Sequence, residues 1–214
     1  NIPSGNVTLY GQLSSLVSDI NKDYLFYNLF KGCTGIKTVS KDLLVNIDLT
    51  NYCYSYMFNG CTSLSNVPKL QKTNLKEYCY SGMFAGCTSL TETPELPATT
   101  LATACYLLMF VGCISLENAP ELPATTLADY CYSNMFQGCT SLTTAPELPA
   151  TTLAPYCYTG MFGACIGLTS APALPATNLA SYCYCNMFYS CNKLTTAPIL
   201  PATTLYDHCY SRMF

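Results

Sequence analysis

The chain of 214 residues repeats itself with a period of 26 residues. A Met-Phe pair marks each copy, at Met57, Met83, Met109, Met135, Met161, Met187 and Met213. Leu29-Phe30 is a degenerate earlier copy. A unit of this length cannot bury its apolar side chains alone, and stacking of neighbouring units buries them instead. The period therefore predicts a solenoid in which each repeat forms one coil.

The first half of each repeat has the pattern of an amphipathic helix. In the unit TTLADYCYSNMFQGCTSLTTAPELPA, Leu127, Cys131 and Met135 share one face when residues are plotted at about 100° intervals. A residue suited to the N-cap precedes the first leucine of each copy, namely Asp48, Asn74, Thr100, Thr126, Thr152, Asn178 and Thr204. Glycines at the left-handed position after the helix are Gly32, Gly60, Gly86, Gly112 and Gly138. Ala164 and Ser190 replace this glycine in two copies, whose helix ends we expect to be less regular. The pattern predicts a helix of about 11 residues in each coil.

The second half of each repeat predicts a short parallel strand. Leu142 and Ala145 should point inward, and Pro146 removes a backbone donor and ends the strand. Parallel strands lie about 4.8 Å apart, whereas packed helices need about 8–10 Å. We therefore expect an α/β repeat fold that curves into a horseshoe-like arc with its strands inside. Residues 1–22 are assigned to an N-terminal cap and residues 23–214 to the repeat array, whose last repeat is incomplete.

Fourteen of the 15 cysteines fall in two columns of the repeat. One column holds Cys53, Cys79, Cys105, Cys131, Cys157, Cys183 and Cys209, and the other holds Cys33, Cys61, Cys87, Cys113, Cys139, Cys165 and Cys191. Eight helical residues would separate the columns by about 12 Å, too far for a disulfide, and equivalent cysteines on neighbouring helices would also be too far apart. The pattern favours buried free thiols, with disulfides, metal ligands or catalysis as alternatives. Cys185 lies outside both columns, on the polar face, and is the thiol we expect to react most readily.

The distribution of charge excludes several functions. Seven of the nine cations lie at or before Lys76, and no Lys or Arg stands between Glu77 and Cys191. Binding of nucleic acid or of an anionic membrane needs basic residues, which this long region lacks. No apolar run reaches the length of about 18 residues that a membrane span needs. One histidine, one arginine and no phosphate-binding loop argue against an enzyme, and no cofactor or metal site is predicted.

Two columns of variable residues are the candidate partner-binding positions. The first holds tyrosines, Tyr52, Tyr78, Tyr130, Tyr156 and Tyr182, interrupted by Ala104 and followed by His208. These tyrosines could anchor a partner, or they could lie sideways over the neighbouring helix. The second holds Glu95, Glu121 and Glu147, followed by Ala173 and Ile199. Like charges in adjacent coils repel unless a cation or basic partner relieves them, and the alternative is solvated side chains that splay apart.

The segment MFQGCTSLTTAPELPATTLA resembles the BspA-like (Treponema pallidum-type) leucine-rich repeats of bacterial surface proteins. The resemblance covers about residues 23–214, and the residues before it look like the N-terminal segment of such arrays in gut Bacteroides-like proteins. The 26-residue unit is longer than the family's common one, and the asparagine ladder of other leucine-rich repeats is absent. The resemblance implies a leucine-rich-repeat solenoid.

The same resemblance implies a non-enzymatic protein at the cell surface of a host-associated bacterium, or secreted from it. Its expected role is adhesion, through binding of a host or bacterial surface protein or glycan. The alternative is a structural spacer that presents another domain of a longer surface protein. Because the final helix lacks its closing glycine, we also expect a longer parent protein or end-to-end self-association through the open C-terminal face.

Overall fold

The computed structural model describes residues 6–17, 19, 21–44 and 47–214. Strand β1 (Val7–Leu9) pairs in parallel with strand β2 (Ile36–Val39), and a 3-10 helix (Leu13–Leu16) lies between them. Backbone hydrogen bonds join each later repeat to the next, so that the repeats stack as successive coils. The N-terminal cap shares its sheet with the array, and the boundary after residue 22 stays a prediction.

The prediction of a helix in each coil is wrong. Within the described ranges the chain contains no α-helix, and the segments expected to be helical are runs of overlapping turns. Here these runs are called the turn ladder, which comprises residues 24–33, 50–61, 76–87, 102–113, 128–139, 154–165, 180–191 and 206–214.

Hydrogen bonds in the turn ladder alternate between two directions. The N–H of Cys131 donates to Ala128 O at 3.2 Å and closes a turn within the coil. The N–H of the next residue, Tyr132, donates instead to Cys157 O of the following coil at 3.0 Å. An α-helix would direct every N–H along its own axis, whereas here every second one joins two coils.

A left-handed residue at every fourth position produces this pattern. In the coil of Tyr130, that residue has φ 58°, Asn134 has φ 53° and Gly138 has φ 73°. A type II turn needs a positive φ at its third residue, which Tyr130 is in the turn from Ala128 to Cys131. The four-residue spacing of buried positions is close to the helical 3.6, which is why the sequence indicated a helix.

The glycine column has the left-handed conformation that the sequence predicted, with φ 70–73° at Gly32, Gly60, Gly86, Gly112 and Gly138. The expectation of less regular ends in two copies is wrong, because Ala164 and Ser190 adopt φ 57° and 61° at the same place. These residues accept a backbone conformation that costs an L-amino acid about 1 kcal/mol or more.

The prediction of a strand in each repeat, and with it the α/β horseshoe, is also wrong. Beyond β1 and β2, parallel pairing in the described residues is limited to isolated bridges, such as Asn118 with Thr144 and Thr144 with Ser170. Four of the seven residues expected to cap helices lie in such bridges too, Thr100 with Thr126 and Thr152 with Asn178. Without helices, neither side of the coil needs the wider helix spacing, and the argument for curvature no longer holds.

The core consists of side chains stacked in columns from coil to coil. Leu142 is buried as expected, and Phe136 stacks between Phe110 and Phe162 with ring centroids 5.6 and 5.8 Å away. A second tyrosine column, from Tyr54 to Tyr184, is also buried, and its rings, continued by the partly buried Tyr210, lie 5.7–6.0 Å apart. Parallel stacking of aromatic rings at these distances adds to the stabilisation from burial.

Candidate binding surfaces

The predicted tyrosines form a column of stacked rings on the outside of the turn ladder. Ring centroids are 4.6 Å apart between Tyr52 and Tyr78, 4.5 Å between Tyr130 and Tyr156, and 4.7 Å between Tyr156 and Tyr182. Each ring lies against the equivalent ring of a neighbouring coil, and not over a helix. Because the ring faces cover one another, this column presents mainly ring edges and hydroxyl groups to a partner.

The sequence analysis missed one member of this column. The ring centroid of Tyr24 lies 4.5 Å from that of Tyr52, and the two rings are stacked. Their spacing of 28 residues equals that between Phe30 and Phe58, and it could have identified Tyr24 from the sequence. At the other end His208 stacks on Tyr182 at 4.7 Å. The outer tyrosine column is hereafter Tyr24, Tyr52, Tyr78, Tyr130, Tyr156 and Tyr182.

Ala104 divides the outer tyrosine column into two stacks. One stack ends at Tyr78, the other begins at Tyr130, and Ala104 between them is fully buried. Partial burial raises the pKa of Tyr130, and the neighbouring Tyr156 hydroxyl raises it further. The pKa of Tyr52 is also raised, first by partial burial and then by the neighbouring Tyr24 hydroxyl. These two hydroxyls are therefore neutral at physiological pH and can both donate and accept hydrogen bonds.

The predicted glutamates lie on a second surface, here called the proline corner, which comprises residues 67–71, 93–97, 119–123, 145–149, 171–175 and 197–201. A cavity of about 610 Å³ lies between two coils there, lined by residues that include Pro120, Glu121, Pro123, Pro146 and Glu147. A second cavity of about 440 Å³ lies between the previous two coils and shares three of those residues. The two cavities are therefore adjacent, and together they are called the corner groove.

One column of residues changes character along the proline corner and the coil before it, where Lys41 follows a serine in place of the proline. The column reads Lys41, Lys69, Glu95, Glu121, Glu147, Ala173 and Ile199, and all seven side chains are exposed. The sequence analysis missed the two lysines, which the 28- and 26-residue spacings could have revealed; the N–H of Lys69 donates to Lys41 O at 2.9 Å. The structure thus places the predicted glutamates between a basic end and an apolar end.

The two lysines of this column already have acidic partners. Lys41 Nζ lies 2.6 Å from Glu92 Oε2, and Lys69 Nζ lies 3.8 Å from Asp42 Oδ1. Among the salt bridges of the described residues, none includes a glutamate of the corner groove. The carboxylates there are available to a partner.

The cysteines are free, and the prediction that they pack in the core is confirmed by the burial of all except Cys33, which is half-buried. Thiols of the second column also bridge coils: Cys139 Sγ donates to Phe110 O at 3.1 Å, and Cys113, Cys87 and Cys165 repeat the bond at the same distance. Desolvation raises the pKa of Cys53 to about 11 and that of Cys131 to about 12. Thiols of this kind are poor nucleophiles at neutral pH.

The structure gives no support to the prediction that Cys185 is the most reactive thiol. Its side chain is 8% exposed rather than on a polar face, and desolvation raises its pKa, although Arg212 acts in the opposite direction. Within the described part of the chain, no group of three or more His, Cys, Asp or Glu side chains is placed to hold a metal ion.

Comparison of the chain with family models, with curated proteins and with solved structures finds no significant match. The resemblance to BspA-like repeats therefore rests on the residues of the repeat alone. No helix in the described ranges has the length and apolar character needed to cross a membrane.

Proposed function

We propose that this chain is a non-enzymatic repeat protein, secreted or displayed at a bacterial cell surface, that binds another protein or a glycan. The observation that carries the proposal is the proline corner, where an invariant framework presents a variable column. Proline holds the same place in six successive coils, while the residue after it changes from lysine to glutamate, then to alanine and isoleucine. These prolines are Pro68, Pro94, Pro120, Pro146, Pro172 and Pro198.

Rigidity of the scaffold supports a binding role. The turn ladder fixes each coil to the next through hydrogen bonds at every second residue, and the aromatic columns fix the spacing. A surface that is ordered before binding loses little conformational entropy on association. The extended surface of a solenoid can then contact a partner along several coils.

Adhesion at a host–bacterium interface, and location outside the cell, are supported by the resemblance of the repeat to BspA-like surface proteins. Labelling of intact cells that produce the protein, with an antibody against the array, tests the location. Labelling only after the cells are permeabilised would contradict it.

The alternative function is a structural spacer that presents another domain. The near-identical APELPATTLA segments of neighbouring coils favour it, because a spacer needs no variation at its surface. A spacer does not explain, however, why the exposed column from Lys41 to Ile199 changes from basic to acidic to apolar residues. The two functions differ in whether the array has a specific ligand.

A binding experiment separates the two functions. The immobilised array is exposed to purified matrix proteins and a glycan panel, and each ligand that binds is tested again on two variants. One variant, Glu95→Gln/Glu121→Gln/Glu147→Gln, changes the proline corner, and the other, Tyr130→Phe/Tyr156→Phe/Tyr182→Phe, removes hydroxyls while keeping the stacked rings. Binding that either variant weakens supports the proposal, and the absence of saturable binding at micromolar concentration supports the spacer.

A further inference from the structure

We propose that the corner groove binds an extended, cationic segment of a partner protein in a polyproline II conformation, with a lysine or arginine at positions i and i+3. This proposal rests on the proposed binding function and names the surface and the partner. The segment lies along the stacking direction of the coils, with its two cations facing Glu95 and Glu147 and with Glu121 between them.

The shape of the groove suits an extended chain. Its two cavities, of about 610 and 440 Å³, share Pro120, Glu121 and Pro123 and so lie side by side along three coils. Pro97, Pro123 and Pro149 are exposed along it and present apolar rings that have no N–H to satisfy. A wall of this kind accepts a narrow backbone better than it accepts a helix or a globular surface.

Charge complementarity determines the sign of the partner. All three glutamates are exposed, and the segments of the proline corner on either side of Glu121 and Glu147 hold no Lys or Arg. Lys69 lies one coil before Glu95, but its salt bridge is with Asp42. Equivalent residues of adjacent hydrogen-bonded coils lie about 5 Å apart, where like charges repel. A cationic segment removes this repulsion and gains attraction at the same time.

The spacing of the coils determines the register. Parallel bridges between Asn118 and Thr144 and between Thr144 and Ser170 show that the coils beside the groove keep the usual strand separation. Glu95 and Glu147 are two coils apart, which corresponds to about 9.6 Å at that separation. One turn of a polyproline II helix advances about 9.3 Å in three residues, so cations at positions i and i+3 match these two carboxylates. A fully extended strand repeats its facing side chains at about 6.6–6.8 Å and does not match.

The ends of the groove give the bound segment a direction. Lys41 and Lys69 lie beyond Glu95 on one side, and Ala173 and Ile199 lie beyond Glu147 on the other. Because the lysines would repel a cation, the basic residues of the partner must be confined to the middle coils. A residue of the partner that extends past Glu147 meets apolar side chains and prolines.

Fluorescence anisotropy with two labelled proline-rich peptides tests the proposal. Both peptides carry two arginines among prolines, one with the arginines at positions i and i+3 and the other with the arginines adjacent. We expect the spaced peptide to bind the wild-type array more tightly, with an affinity that falls as salt rises. In Glu95→Gln/Glu121→Gln/Glu147→Gln the affinity should fall about fivefold, the combined effect of two exposed ion pairs.

The matched control is Glu77→Gln/Glu117→Gln/Asp129→Asn, which removes the same charge from exposed acids outside the corner groove. It should keep the affinity within about twofold. Equal loss in both variants would show a nonspecific charge effect, and equal binding of the two peptides would refute the register; either result overturns the proposal.

Failure of this inference is distinguishable from failure of the proposed function. If a matrix protein or glycan binds the array and the tyrosine variant weakens that binding while the spaced peptide does not bind, the inference is wrong and the binding function stands. If neither the peptides nor the ligand panel bind, both are wrong.

Discussion

The turn ladder and the proline corner are built from the same 26-residue repeat but have opposite properties. In the turn ladder, alternate N–H groups bond to the next coil, thiols such as Cys139 donate to carbonyls of the previous coil, and the rings of Phe136 and Tyr132 are buried in columns. In the proline corner, proline removes backbone donors, and a groove runs along the surface of the coils. The difference indicates that one side of each coil holds the array together while the other is free to vary.

The composition of the two regions follows from this division. Residues whose side chains or backbone contact the next coil must fit their own copies, so the Cys-Tyr and Met-Phe pairs recur with little change. At the proline corner no such self-complementarity is required, and the column from Lys41 to Ile199 changes its chemistry. Each prediction below tests whether stability and variation are separated in this way.

The largest effect should come from alkaline pH. Burial raises the pKa of Cys53 from 9.0 to about 11 and those of Cys131 and Cys139 to about 12. The folded state thus keeps protons that the unfolded state loses, so stability is complete below pH 9 and falls as the pH rises toward 11–12. Each such thiol contributes about 1.4 kcal/mol per pH unit in that window.

Several thiols acting together should unfold the reduced array cooperatively between about pH 9 and 11, as followed by circular dichroism. Titratable thiols are confined to the turn ladder, so the transition reports on that side of the coil. A free energy of unfolding that stays constant up to pH 11 would show that the thiols are not buried as described.

The next largest effect separates the two regions directly. Phe136→Ala removes a fully buried ring from the middle of a stack, and we expect a loss of about 3–5 kcal/mol in the free energy of unfolding by urea. Its counterpart at the proline corner is Pro149→Ala, at an exposed residue, where a loss below about 1 kcal/mol is expected. Similar losses in the two variants would contradict the division.

Gly82→Ala distinguishes strain from packing within the turn ladder. Gly82 has φ 58°, and a Cβ there would lie 2.3 Å from Cε1 of Tyr56. We expect a loss of about 2 kcal/mol, part from the positive φ and part from displacing the ring.

Gly86→Ala is the matched control for this substitution, because Gly86 has φ 70° but its added Cβ would meet only ordinary contacts at 3.7 Å. It should lose only the part due to the backbone, about 1 kcal/mol. In a Tyr56→Ala background the cost of Gly82→Ala should fall to the same value. If it does not, the ring of Tyr56 is not the obstacle.

The smallest effect is a gain. Ala104→Tyr would join the two stacks of the outer tyrosine column, and the φ of 49° at Ala104 is close to the 53–58° of Tyr52, Tyr78, Tyr130 and Tyr156. Urea denaturation should show stabilisation by about 0.5–1 kcal/mol, the value of an added aromatic pair. Ala104→Leu adds apolar surface without a ring, and equal stability of the two variants would argue against stacking as the cause.

The sequence predicted the stacking of repeats, the burial of the cysteines and the left-handed glycines, because each depends only on period and residue type. It did not predict the turn ladder. Buried positions such as Cys131, Met135 and Cys139 are spaced by four residues, and over so short a segment this spacing hardly differs from a helical one. Positive φ at bulky residues such as Tyr130 is rare and has no signature in the residue itself.

The candidate surfaces depended on that error to different degrees. The alignment of Glu95, Glu121 and Glu147 follows from the period alone, so it survived the loss of the helix. The stacking of Tyr130 on Tyr156 requires coils bonded side by side, and the helix spacing assumed from the sequence excluded it. The groove could not be foreseen, since its volume depends on how far the proline-containing segments separate.

The alternating hydrogen bonds of the turn ladder make the array electrically polar. The N–H of Tyr132 points to the following coil, while the carbonyl of Cys131, in the same peptide group, accepts from Tyr106 of the preceding coil. Every second peptide dipole, of about 3.5 D, therefore points in the same direction along the stack, and each added coil increases the total dipole moment. In a β-sheet the dipoles of neighbouring peptides largely cancel. The carbonyl pole faces the first coils, where seven of the nine cations lie, so the cations of this chain lie at the pole that attracts them.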